Sequence, residues 1–343
     1  MSAIPKKIFV TGGTGFLGSY LLRMLVEKEP STEILALHRA SSSLDLVGEA
    51  AAKVQWIEGD ILDYLLLEDI IGTVQEIYHC AATVSFDPRD YEYMRRVNVE
   101  GTENMVNAAL NNQSARLVHV SSVAAIGRRK DIGIISENTK WESSTKNSYY
   151  AITKYQSEME VWRGITEGLN AAIVNPSIIL GSGFWDRGTG KIIRNAWREF
   201  PFYPAGASGF VDVRDVADFM IRLMAEEVRG QRYLLNGANL GYGELFSDLA
   251  SRLGKKPPRV KVNWWIKEAA WRAEWIRTRF TGGSPFITKE TANNSMESWQ
   301  FDAQKSLEMP GFSYRPLEQT LEETCRQFAE SQRAGKGFHR LPV

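Results

Sequence analysis

The stretch TGGTGFLG, residues 11–18, restricts the fold most strongly, because it joins a short apolar segment directly to a helix-like run. Gly12, Gly15 and Gly18 are spaced three residues apart in it. In a strand–turn–helix unit, such glycines allow a tight turn, close backbone approach to a pyrophosphate and close packing of helix on strand. The helix N-terminus adds amide donors and the positive end of its dipole. The pattern therefore predicts a dinucleotide-binding turn, and a purely structural glycine turn is the alternative.

The first half of the chain alternates short apolar segments with helical patterns. The segments that we interpret as strands are 7–11, 33–38, 54–60, 76–82, 115–122 and 170–177. Helical patterns lie between most of them, notably at 90–112 and 148–167. This alternation predicts an α/β fold with a Rossmann-type, doubly wound parallel sheet that has helices on both faces.

The pattern changes after residue 177, where glycine, proline and aromatic residues become more frequent. Short strand patterns at 231–237 and 258–262 then mix with helices, which predicts a smaller C-terminal α/β lobe that binds the substrate. The predicted parts are a nucleotide-binding domain at 1–176 to which 205–237 returns, a substrate-binding lobe at 177–204 and 238–330, and a tail at 331–343. A chain of 343 residues, 43% of them hydrophobic, suits either one large domain or two lobes with a sizeable core.

The composition argues against several other classes of protein. The 41 basic and 41 acidic side chains balance, so there is no reason to expect a nucleic acid or an anionic membrane as a partner. Two cysteines, Cys80 and Cys325, allow neither a disulfide framework nor a zinc site, so we expect no metal and a reducing, cytoplasmic location. No apolar run approaches the ~20 residues of a transmembrane helix. A strand pattern that begins at residue 7 also argues against a signal peptide.

The stretch NSYYAITKYQ, residues 147–156, holds three tyrosines and one lysine. A free tyrosine has a pKa of about 10, and a nearby cation would lower this pKa. Residues four apart share a face of a helix, and Tyr150 and Lys154 have this spacing. Asn147 and Ser148 are typical N-cap residues, so the helix begins after them. Tyr150 is therefore the candidate proton donor, and a chance pairing on a helix surface is the alternative.

Several motifs follow one another along the chain. They are the G-x-x-G-x-x-G spacing at 12–18, GDILD at 59–63, HCAATVSF at 79–86, VNVEGTENMVNAA at 97–109, VSSVAAIG at 120–127, Tyr150-x-x-x-Lys154 and VDVRDVADFM at 211–220. Their order resembles that of the extended short-chain dehydrogenase/reductase family, also called the NAD-dependent epimerase/dehydratase family. The resemblance covers nearly the whole chain. The stretch SPFITKETANNS and the later FDAQKSLEMPGF are most similar to the branch that holds dihydroflavonol reductases and 3β-hydroxysteroid dehydrogenases.

The resemblance implies a catalytic triad of a hydroxyl residue, a tyrosine and a lysine. In the family the hydroxyl residue stands five positions before the glycine that closes VSSVAAIG, which selects Ser122 rather than Ser121. Tyr150 and Lys154 match the other two positions. Lys154 would bind the nicotinamide ribose and lower the pKa of Tyr150. Tyr150 would act as general acid or base on a carbonyl or alcohol oxygen, and Ser122 would hold that oxygen.

The resemblance also implies a set of cofactor contacts. The residues that match the family's cofactor-binding positions are Gly12, Thr14, Gly15, Phe16, Leu17, Gly18, Arg39, Asp60, Ile61, Ala81, Ala82, Thr83, Tyr150, Lys154, Pro176 and Ile179. Asp60 matches the residue that meets the adenine amino group, with a solvated turn acid as the alternative. The small residues Ala81 and Ala82 let the backbone approach the cofactor. Asn98 matches a position that ties a helix to a strand.

The end of the second predicted strand indicates which dinucleotide is preferred. Enzymes that prefer NAD usually carry an acidic residue there, which accepts hydrogen bonds from the ribose hydroxyls. This chain has LHRASSS at that point, and the nearest acid onward is Asp45. Arg39 offers a fork of donors that can bind a 2′-phosphate, and the serines at 41–43 add hydroxyls. We therefore predict NADP rather than NAD, and the alternative is that Arg39 points into solvent.

Aromatic residues mark two candidate substrate regions. Phe86, Phe184 and Trp185 follow strand ends, where such folds bind ligands, and are candidate contacts for an apolar or ring-containing small molecule. Residues 263–280 carry four tryptophans, of which Trp264, Trp271 and Trp275 would share a helical face. The preferred interpretation is a helix packed on the core. The alternatives are an apolar wall for a flat or lipid-like substrate and a helix at a membrane surface.

These features together predict an NAD(P)-dependent oxidoreductase that interconverts a secondary alcohol and a ketone. A nucleotide-sugar epimerase or dehydratase with tightly held NAD(P) uses the same triad and is the alternative. Dehydratases tend to carry an Asp-Glu pair beside the hydroxyl residue, where Val123 and Ala124 stand here. A regulator that only senses the cofactor is a third hypothesis, but it would have no need of Ser122 and Tyr150 together.

The same resemblance implies a homodimer. In this family, helices corresponding to 90–112 and 148–167 often pair with their copies in a four-helix bundle. Apolar residues in these helices include Met94, Val97, Met105, Met159 and Trp162. The alternative is that these side chains belong to the core of one subunit.

Overall fold

The computed structural model describes residues 6–127, 133–144, 147–226, 228–281 and 288–343. Its strands are β1 (Lys7–Thr11), β2 (Glu33–His38), β3 (Gln55–Glu58), β4 (Glu76–His79), β5 (Arg116–Val120), β6 (Asn170–Pro176), β7 (Ile178–Leu180), β8 (Phe202–Tyr203), β9 (Ala207–Asp212), β10 (Gln231–Leu235), β11 (Ala238–Gly241) and β12 (Val260–Lys261). Its α-helices are α1 (Phe16–Lys28), α2 (Tyr64–Ile71), α3 (Tyr91–Arg95), α4 (Gly101–Asn111), α5 (Tyr149–Thr166), α6 (Gly190–Trp197), α7 (Val213–Ala225), α8 (Tyr242–Arg252), α9 (Trp264–Thr281), α10 (Lys289–Asn294), α11 (Gln304–Leu307) and α12 (Leu317–Arg333). Further helical turns are the 3₁₀ turns Gly48–Lys53, Pro88–Asp90 and Val123–Ala125 and the π-helical turn Arg96–Glu100.

Seven strands form the main sheet in the order β10-β6-β5-β4-β1-β2-β3, and every neighbouring pair is parallel. The strand order reverses between β1 and β4, because β2 and β3 continue on one side of β1 while β4, β5 and β6 lie on the other. In open α/β sheets, ligands bind outside the carboxyl ends of the strands at such a reversal. The predicted fold class is confirmed, and the sheet places the binding edge beside the glycine turn.

Helices cover both faces of the main sheet. On one face α1 and α7 pack through a buried cluster that includes Tyr20 and Phe219. On the other face α2, α4 and α5 pack through a second cluster that includes Met105. Phe9 and Val10 of β1 point to opposite clusters, as neighbouring residues of a strand must. Burial on both faces explains why these strands appear in the sequence as continuous apolar runs rather than as alternating patterns.

The smaller lobe combines the three-stranded sheet β11-β9-β7, the β12-β8 pair and helices α6, α8 and α12. Its core contains Trp185, Phe210 and Phe328. The segment 205–237 divides between the two parts of the molecule. Helix α7 packs on the main sheet and β10 joins its edge, whereas β9 pairs with β7 and β11.

The C-terminal residues pack against helix α1 on the main sheet. The amide of Leu341 donates to Tyr20 Oη at 2.7 Å, and Arg23 Nη2 donates to the Leu341 carbonyl at 2.6 Å. The side chain of Leu341 is fully buried, and the Trp185 amide donates to the Gly337 carbonyl at 3.0 Å. The structure therefore differs from the predicted tail at 331–343. These contacts join residues more than 150 positions apart, so no local sequence pattern predicts them.

Helix α9 presents most of its large aromatic side chains to solvent. Trp264 and Trp275 are exposed, so the preferred expectation of core packing is wrong for both. The side of α9 that faces the protein carries Lys267, Ala270 and Thr278 instead, and Thr278 is the buried residue of the helix. Across the described ranges, no helix combines the length and apolar character that crossing a membrane would need.

Candidate active site

The glycine turn connects β1 to α1 at the reversal of strand order. Gly12 has a φ of +69°, in the left-handed region that favours glycine, and a β-carbon there would lie 2.6 Å from the Ala81 nitrogen. A β-carbon on Gly18 would overlap the Gly12 carbonyl oxygen, so the helix lies as close to the turn as the backbone allows. Gly15 is the N-cap of α1 and has no side chain to cap the first amides. These amides can therefore bind a phosphate.

A cavity of about 180 Å³ opens beside this turn. It is lined by Gly12, Thr14, Gly15, Leu37, His38, Arg39, Ser42, Gly59, Asp60, Ile61, Cys80, Ala81, Ala82, Thr83, Tyr93 and Val97. Nine of the residues predicted as cofactor contacts are among them, from the turn after β1, the loop after β2, the end of β3 and the end of β4. With Tyr93 and Val97, the structure thus brings five distant stretches of the sequence together around one space.

A buried chain of hydrogen bonds fixes the end of β1 beside β4. Thr11 Oγ1 lies 2.8 Å from His79 Nδ1 and accepts from the Ala81 amide at 3.3 Å. His79 Nε2 lies 2.9 Å from Thr102 Oγ1, and Thr102 donates to the Asn98 carbonyl at 2.6 Å. Burial lowers the pKa of His79 to about 3, so the ring is neutral at physiological pH. Because Thr102 uses its own proton for Asn98, the ring proton lies on Nε2 and Nδ1 accepts from Thr11.

Asn98 lies in the π-helical turn Arg96–Glu100, a distortion that is frequent at functional sites. Its Oδ1 accepts from the Thr83 amide at 2.7 Å, and its Nδ2 donates to the Thr83 carbonyl at 3.0 Å. The same Nδ2 donates to Thr153 Oγ1 at 3.1 Å. This buried side chain therefore holds both backbone groups of Thr83 and ties the loop after β4 to α5.

Arg39 lines the cavity from the loop after β2. Its Nη1 donates to Tyr93 Oη at 2.8 Å, and its amide donates to Ser42 Oγ at 3.2 Å. The Ser42 amide returns a bond to the Arg39 carbonyl at 2.8 Å. The sequence analysis did not identify Tyr93, which lies 54 residues from Arg39 on α3. The guanidinium is thus bound to a second wall residue of the cavity.

Asp60 is exposed at the end of β3 and also lines the cavity. Its Oδ1 accepts from the Leu62 amide at 3.0 Å, and its carbonyl accepts from the Asp63 amide at 3.0 Å. The carboxylate therefore stabilises a turn while it faces the cavity. A role as a turn acid and a role as a cofactor contact are compatible in this position.

The two serines after β5 have different surroundings. Ser121 is buried, and its Oγ donates to Glu158 Oε2 at 2.7 Å. Ser122 Oγ accepts from the Ala124 amide at 3.1 Å and thereby caps the short 3₁₀ turn that follows. The Ser122 carbonyl accepts from Asn175 Nδ2 at 3.0 Å. The hydroxyl proton of Ser121 is thus used by a core carboxylate, whereas the cap does not use the hydroxyl proton of Ser122.

Tyr150 and Lys154 lie one turn apart on α5. The helix begins after Ser148, whose hydroxyl accepts from the Ala151 amide at 2.9 Å, so the predicted N-cap is confirmed. Lys154 is buried, and its Nζ donates to the Val120 carbonyl at 2.8 Å. Burial lowers the pKa of Lys154 to about 8, so the side chain remains mostly protonated at neutral pH. The lysine that partners the candidate tyrosine is therefore a buried cation held against the end of β5.

Glu158, one turn beyond Lys154 on α5, is a residue that the sequence analysis missed. Its carboxylate is fully buried. Its Oε2 accepts from Ser121 Oγ and from Asn175 Nδ2, each at 2.7 Å. Its Oε1 accepts from Arg232 Nη1 at 2.9 Å. The spacing of four from Lys154 is visible in the sequence, but these partners come from remote strands and only the fold reveals them.

The three candidate substrate residues lie in different surroundings. The Phe86 ring is edge-on to the Tyr150 ring, with the centroids 5.9 Å apart. Trp185 is buried and packs edge-on against Phe328, with the centroids 5.0 Å apart, so most of its ring is inaccessible to a ligand. Phe184 lines a separate cavity of about 360 Å³ with Trp185. Only Phe86 is therefore adjacent to the candidate proton donor.

Some of the predicted cofactor contacts do not line the 180 Å³ cavity. Besides Tyr150 and Lys154, these are Phe16, Leu17, Gly18, Pro176 and Ile179. Leu17 belongs to the core cluster beneath α1, and the Phe16 ring packs edge-on against Tyr20. A cofactor that touched all of the predicted residues would therefore extend beyond this cavity, toward the ends of β5 and β6.

An open parallel sheet whose cavity meets a glycine turn at the strand reversal defines a dinucleotide-binding α/β protein. The sequence profile of the NAD dependent epimerase/dehydratase family matches residues 8–235. The chain belongs to this family, within the extended short-chain dehydrogenases/reductases, and is an NAD(P)-dependent enzyme of that type.

Two curated relatives and one solved structure illustrate the similarity. The chain is 32% identical to a protein assigned as a dihydroflavonol 4-reductase in Synechocystis, over 95% of each chain. It is 31% identical to sterol demethylase protein B of Methylococcus capsulatus, over 74% of this chain and 76% of that one. The crystal structure of gox2253 superimposes with a TM-score of 0.80 at 31% identity, over 96% of this chain and 99% of that one.

Proposed function

We propose that this enzyme is an NADP-dependent oxidoreductase that interconverts a secondary alcohol and a ketone. The observation that carries the proposal is the arrangement on α5, where Tyr150 lies one turn from the buried cation Lys154. The bond from Lys154 Nζ to the Val120 carbonyl holds this helix against the end of β5, two residues before Ser122. The side chains of Ser122, Tyr150 and Lys154, which can hold or transfer a proton, therefore lie on neighbouring elements.

Each residue of the triad has a separate role in this proposal. The substrate oxygen would accept a hydrogen bond from Ser122 Oγ, whose proton the turn cap does not use. Tyr150 Oη would donate its proton to a ketone oxygen, or take the proton from an alcohol in the reverse direction. The positive charge of Lys154 would favour the phenolate form of Tyr150 that remains. A bound nicotinamide cofactor would supply or accept the hydride.

The residues present fit such a cofactor. Gly12 and Gly18 have no β-carbon, and a β-carbon at either position would meet backbone atoms. The close turn that they allow leaves room for a pyrophosphate. The amides at the start of α1 supply donors for it. Arg39, Ser42 and Tyr93 together form a polar corner that would receive a 2′-phosphate, which is why we propose NADP rather than NAD.

Phe86 supports an apolar or ring-containing substrate. Its ring is next to that of Tyr150, so a substrate whose oxygen meets Tyr150 would lie beside an aromatic wall. Two of the relatives are named for reactions on a flavonoid and on a sterol, both of which are ring systems. The proposed substrate class is therefore a ketone on a flat or fused-ring skeleton.

The experiment that tests this function measures consumption of NADPH. The purified enzyme is incubated with NADPH and a panel of cyclic, aromatic and aliphatic ketones, and absorbance of the reduced cofactor is followed. We expect repeated turnover, with more than one NADPH oxidised per enzyme molecule. An epimerase would recycle its bound cofactor and consume no free NADPH. Interconversion of nucleotide sugars without net NADPH oxidation would therefore contradict the proposal.

We also propose a homodimer through the outer faces of α4 and α5. Met94 and Met105 are buried within the subunit, so they are core residues, whereas Met159 on α5 is exposed. Light scattering at micromolar concentration should give twice the subunit mass, and Met159→Glu should lower it toward that of a monomer because a buried charge opposes association. A monomeric mass for the unmodified protein would contradict this proposal.

A cytoplasmic location is a further proposal. Cys80 and Cys325 are both free thiols, and burial raises the pKa of each to about 12. Thiols of this kind are stable in a reducing compartment. Fractionation of the source cells, followed by detection of the protein with an antibody, would test the location directly.

A further inference from the structure

The outward face of α9 differs from an ordinary solvent-facing helix surface. Trp264, Trp265, Trp275, Ile276 and Phe280 are all exposed, and Trp265 and Phe280 retain 74% and 86% of their accessible surface. We call these five residues the α9 outward face. Soluble monomers rarely expose so many large apolar side chains together, and such patches commonly mark an interaction surface.

Both acids of α9 are largely covered, whereas its three arginines reach solvent. The acids Glu268 and Glu274 keep only 15% and 14% of their side-chain surface exposed, and they pair with Arg272 and Arg277. Arg272 and Arg277 keep 56% and 48% exposed. The side of the helix that reaches solvent is therefore apolar and cationic at once.

The segment around α9 is also strongly basic. Residues 255–281 contain eight lysines and arginines and two glutamates, a net charge of +6 in a chain whose total charge is zero. Lys256, Arg259 and Lys261 are exposed immediately before the helix. Balanced charge over the whole chain argues against an anionic surface as a partner, but the local charge reverses that argument.

We propose that the α9 outward face and the basic segment before it dock on the surface of an anionic lipid bilayer. A helix with tryptophan, phenylalanine and aliphatic residues on one face, together with lysine and arginine, is suited to lie in the plane of the headgroup region. Tryptophan is favoured at that depth because its ring is apolar while its N–H reaches water. The basic side chains gain from the negative surface potential.

The same charges argue against a second copy of the chain as the occupant. A two-fold symmetric interface would place the α9 outward face against itself and would bring two segments of charge +6 together. Like charges at an interface oppose association, whereas an anionic bilayer neutralises them. An anionic bilayer is therefore the partner that matches both the exposed apolar side chains and the positive charge of this surface.

Vesicle flotation with the full chain tests the proposal. The vesicles are phosphatidylcholine alone and phosphatidylcholine with about one-third phosphatidylglycerol, at low salt and at about 0.5 M salt. We expect about tenfold more protein on the anionic vesicles at low salt, and most of this difference should disappear at high salt. Equal binding to both vesicles, or no binding to either, would overturn the proposal.

Two double variants test whether vesicle binding depends on the apolar side chains of α9 or on exposed apolar residues anywhere on the surface. Trp265→Ser with Phe280→Ser should lower anionic-vesicle binding by at least about tenfold, because both side chains leave the headgroup region. The control is Leu65→Ser with Leu307→Ser, two exposed apolar residues on α2 and α11. Unchanged binding in the α9 pair, or an equal loss in the control pair, would contradict the assignment of α9.

A second set of variants tests the charge. Arg272→Gln with Arg279→Gln should weaken anionic-vesicle binding about tenfold and leave the weak binding to neutral vesicles unchanged. The control is Arg96→Gln with Arg326→Gln, two exposed arginines elsewhere. Light scattering without lipid completes the test. A concentration-dependent dimer that Trp265→Ser with Phe280→Ser abolishes would assign the surface to a second copy and overturn the proposal.

Discussion

Replacing Tyr150 with phenylalanine should lower turnover by about 10²- to 10⁴-fold, the range that a positioned general acid contributes. The substitution removes only the hydroxyl, so the Phe86 ring contact is retained and the dinucleotide affinity should stay within about twofold. Single-turnover kinetics with the best ketone from the panel measure the first quantity. Fluorescence titration with NADPH measures the second.

Tyr149→Phe is the matched control for this prediction. Tyr149 is the neighbouring tyrosine on α5, it is exposed, and its ring lies 4.6 Å from that of Tyr91. It should retain nearly the full rate. If Tyr150→Phe kept more than about a tenth of the wild-type rate, proton transfer would not depend on Tyr150. Lys154→Ala should lower both turnover and NADPH affinity, because the proposal gives Lys154 a contact with the ribose.

Arg39→Ala should remove a preference for NADP over NAD of about tenfold to a hundredfold. A hydrogen bond to a charged group contributes about 1.5–3 kcal/mol, which corresponds to this range. The guanidinium loses its 2′-phosphate partner in NAD, so NAD affinity should change little. Dissociation constants of NADP and NAD for the wild type and the variant provide the measurement. Equal affinities in the wild type, or a preference that survives in Arg39→Ala, would falsify the role of Arg39.

Tyr93→Phe provides a second variant in the same corner. The Tyr93 hydroxyl accepts from Arg39 Nη1 at 2.8 Å and holds the guanidinium beside the cavity. Its removal should weaken NADP binding by a smaller factor than Arg39→Ala, since the charge remains. A loss that is equal for NADP and NAD would indicate a general effect on the cavity instead of orientation of the phosphate-binding group.

Local sequence patterns were sufficient for the elements that depend on near neighbours. The strands at 7–11 and 33–38 have in the structure the bounds that the sequence predicts, and the helix that carries Tyr150 begins directly after the predicted N-cap residues Asn147 and Ser148. The glycine turn was equally clear, because the need for Gly12 and Gly18 arises from contacts within one strand–turn–helix unit and its neighbouring strand. Short-range geometry restricts which residues can stand at which spacing, so the sequence is enough to predict it.

The tertiary structure decided the features that join distant segments. The choice between Ser121 and Ser122 followed from family spacing in the sequence, but only the fold brings Glu158 to Ser121 and so commits that hydroxyl to the core. The pairing of Tyr93 with Arg39 and the burial of Leu341 under Tyr20 likewise have no local signal. A contact between remote residues depends on how whole elements pack, and that is not encoded in the spacing of either partner.

In helix α9, local sequence determines one property and the tertiary structure determines another. The sequence alone determined that residues 263–280 form a helix rich in tryptophan and arginine, because spacing and composition are local properties. It did not determine which side of that helix the protein covers. The fold turns Thr278 inward and leaves Trp265 and Phe280 in solvent, since the neighbouring elements, rather than the apolar character of the helix itself, decide which face is buried.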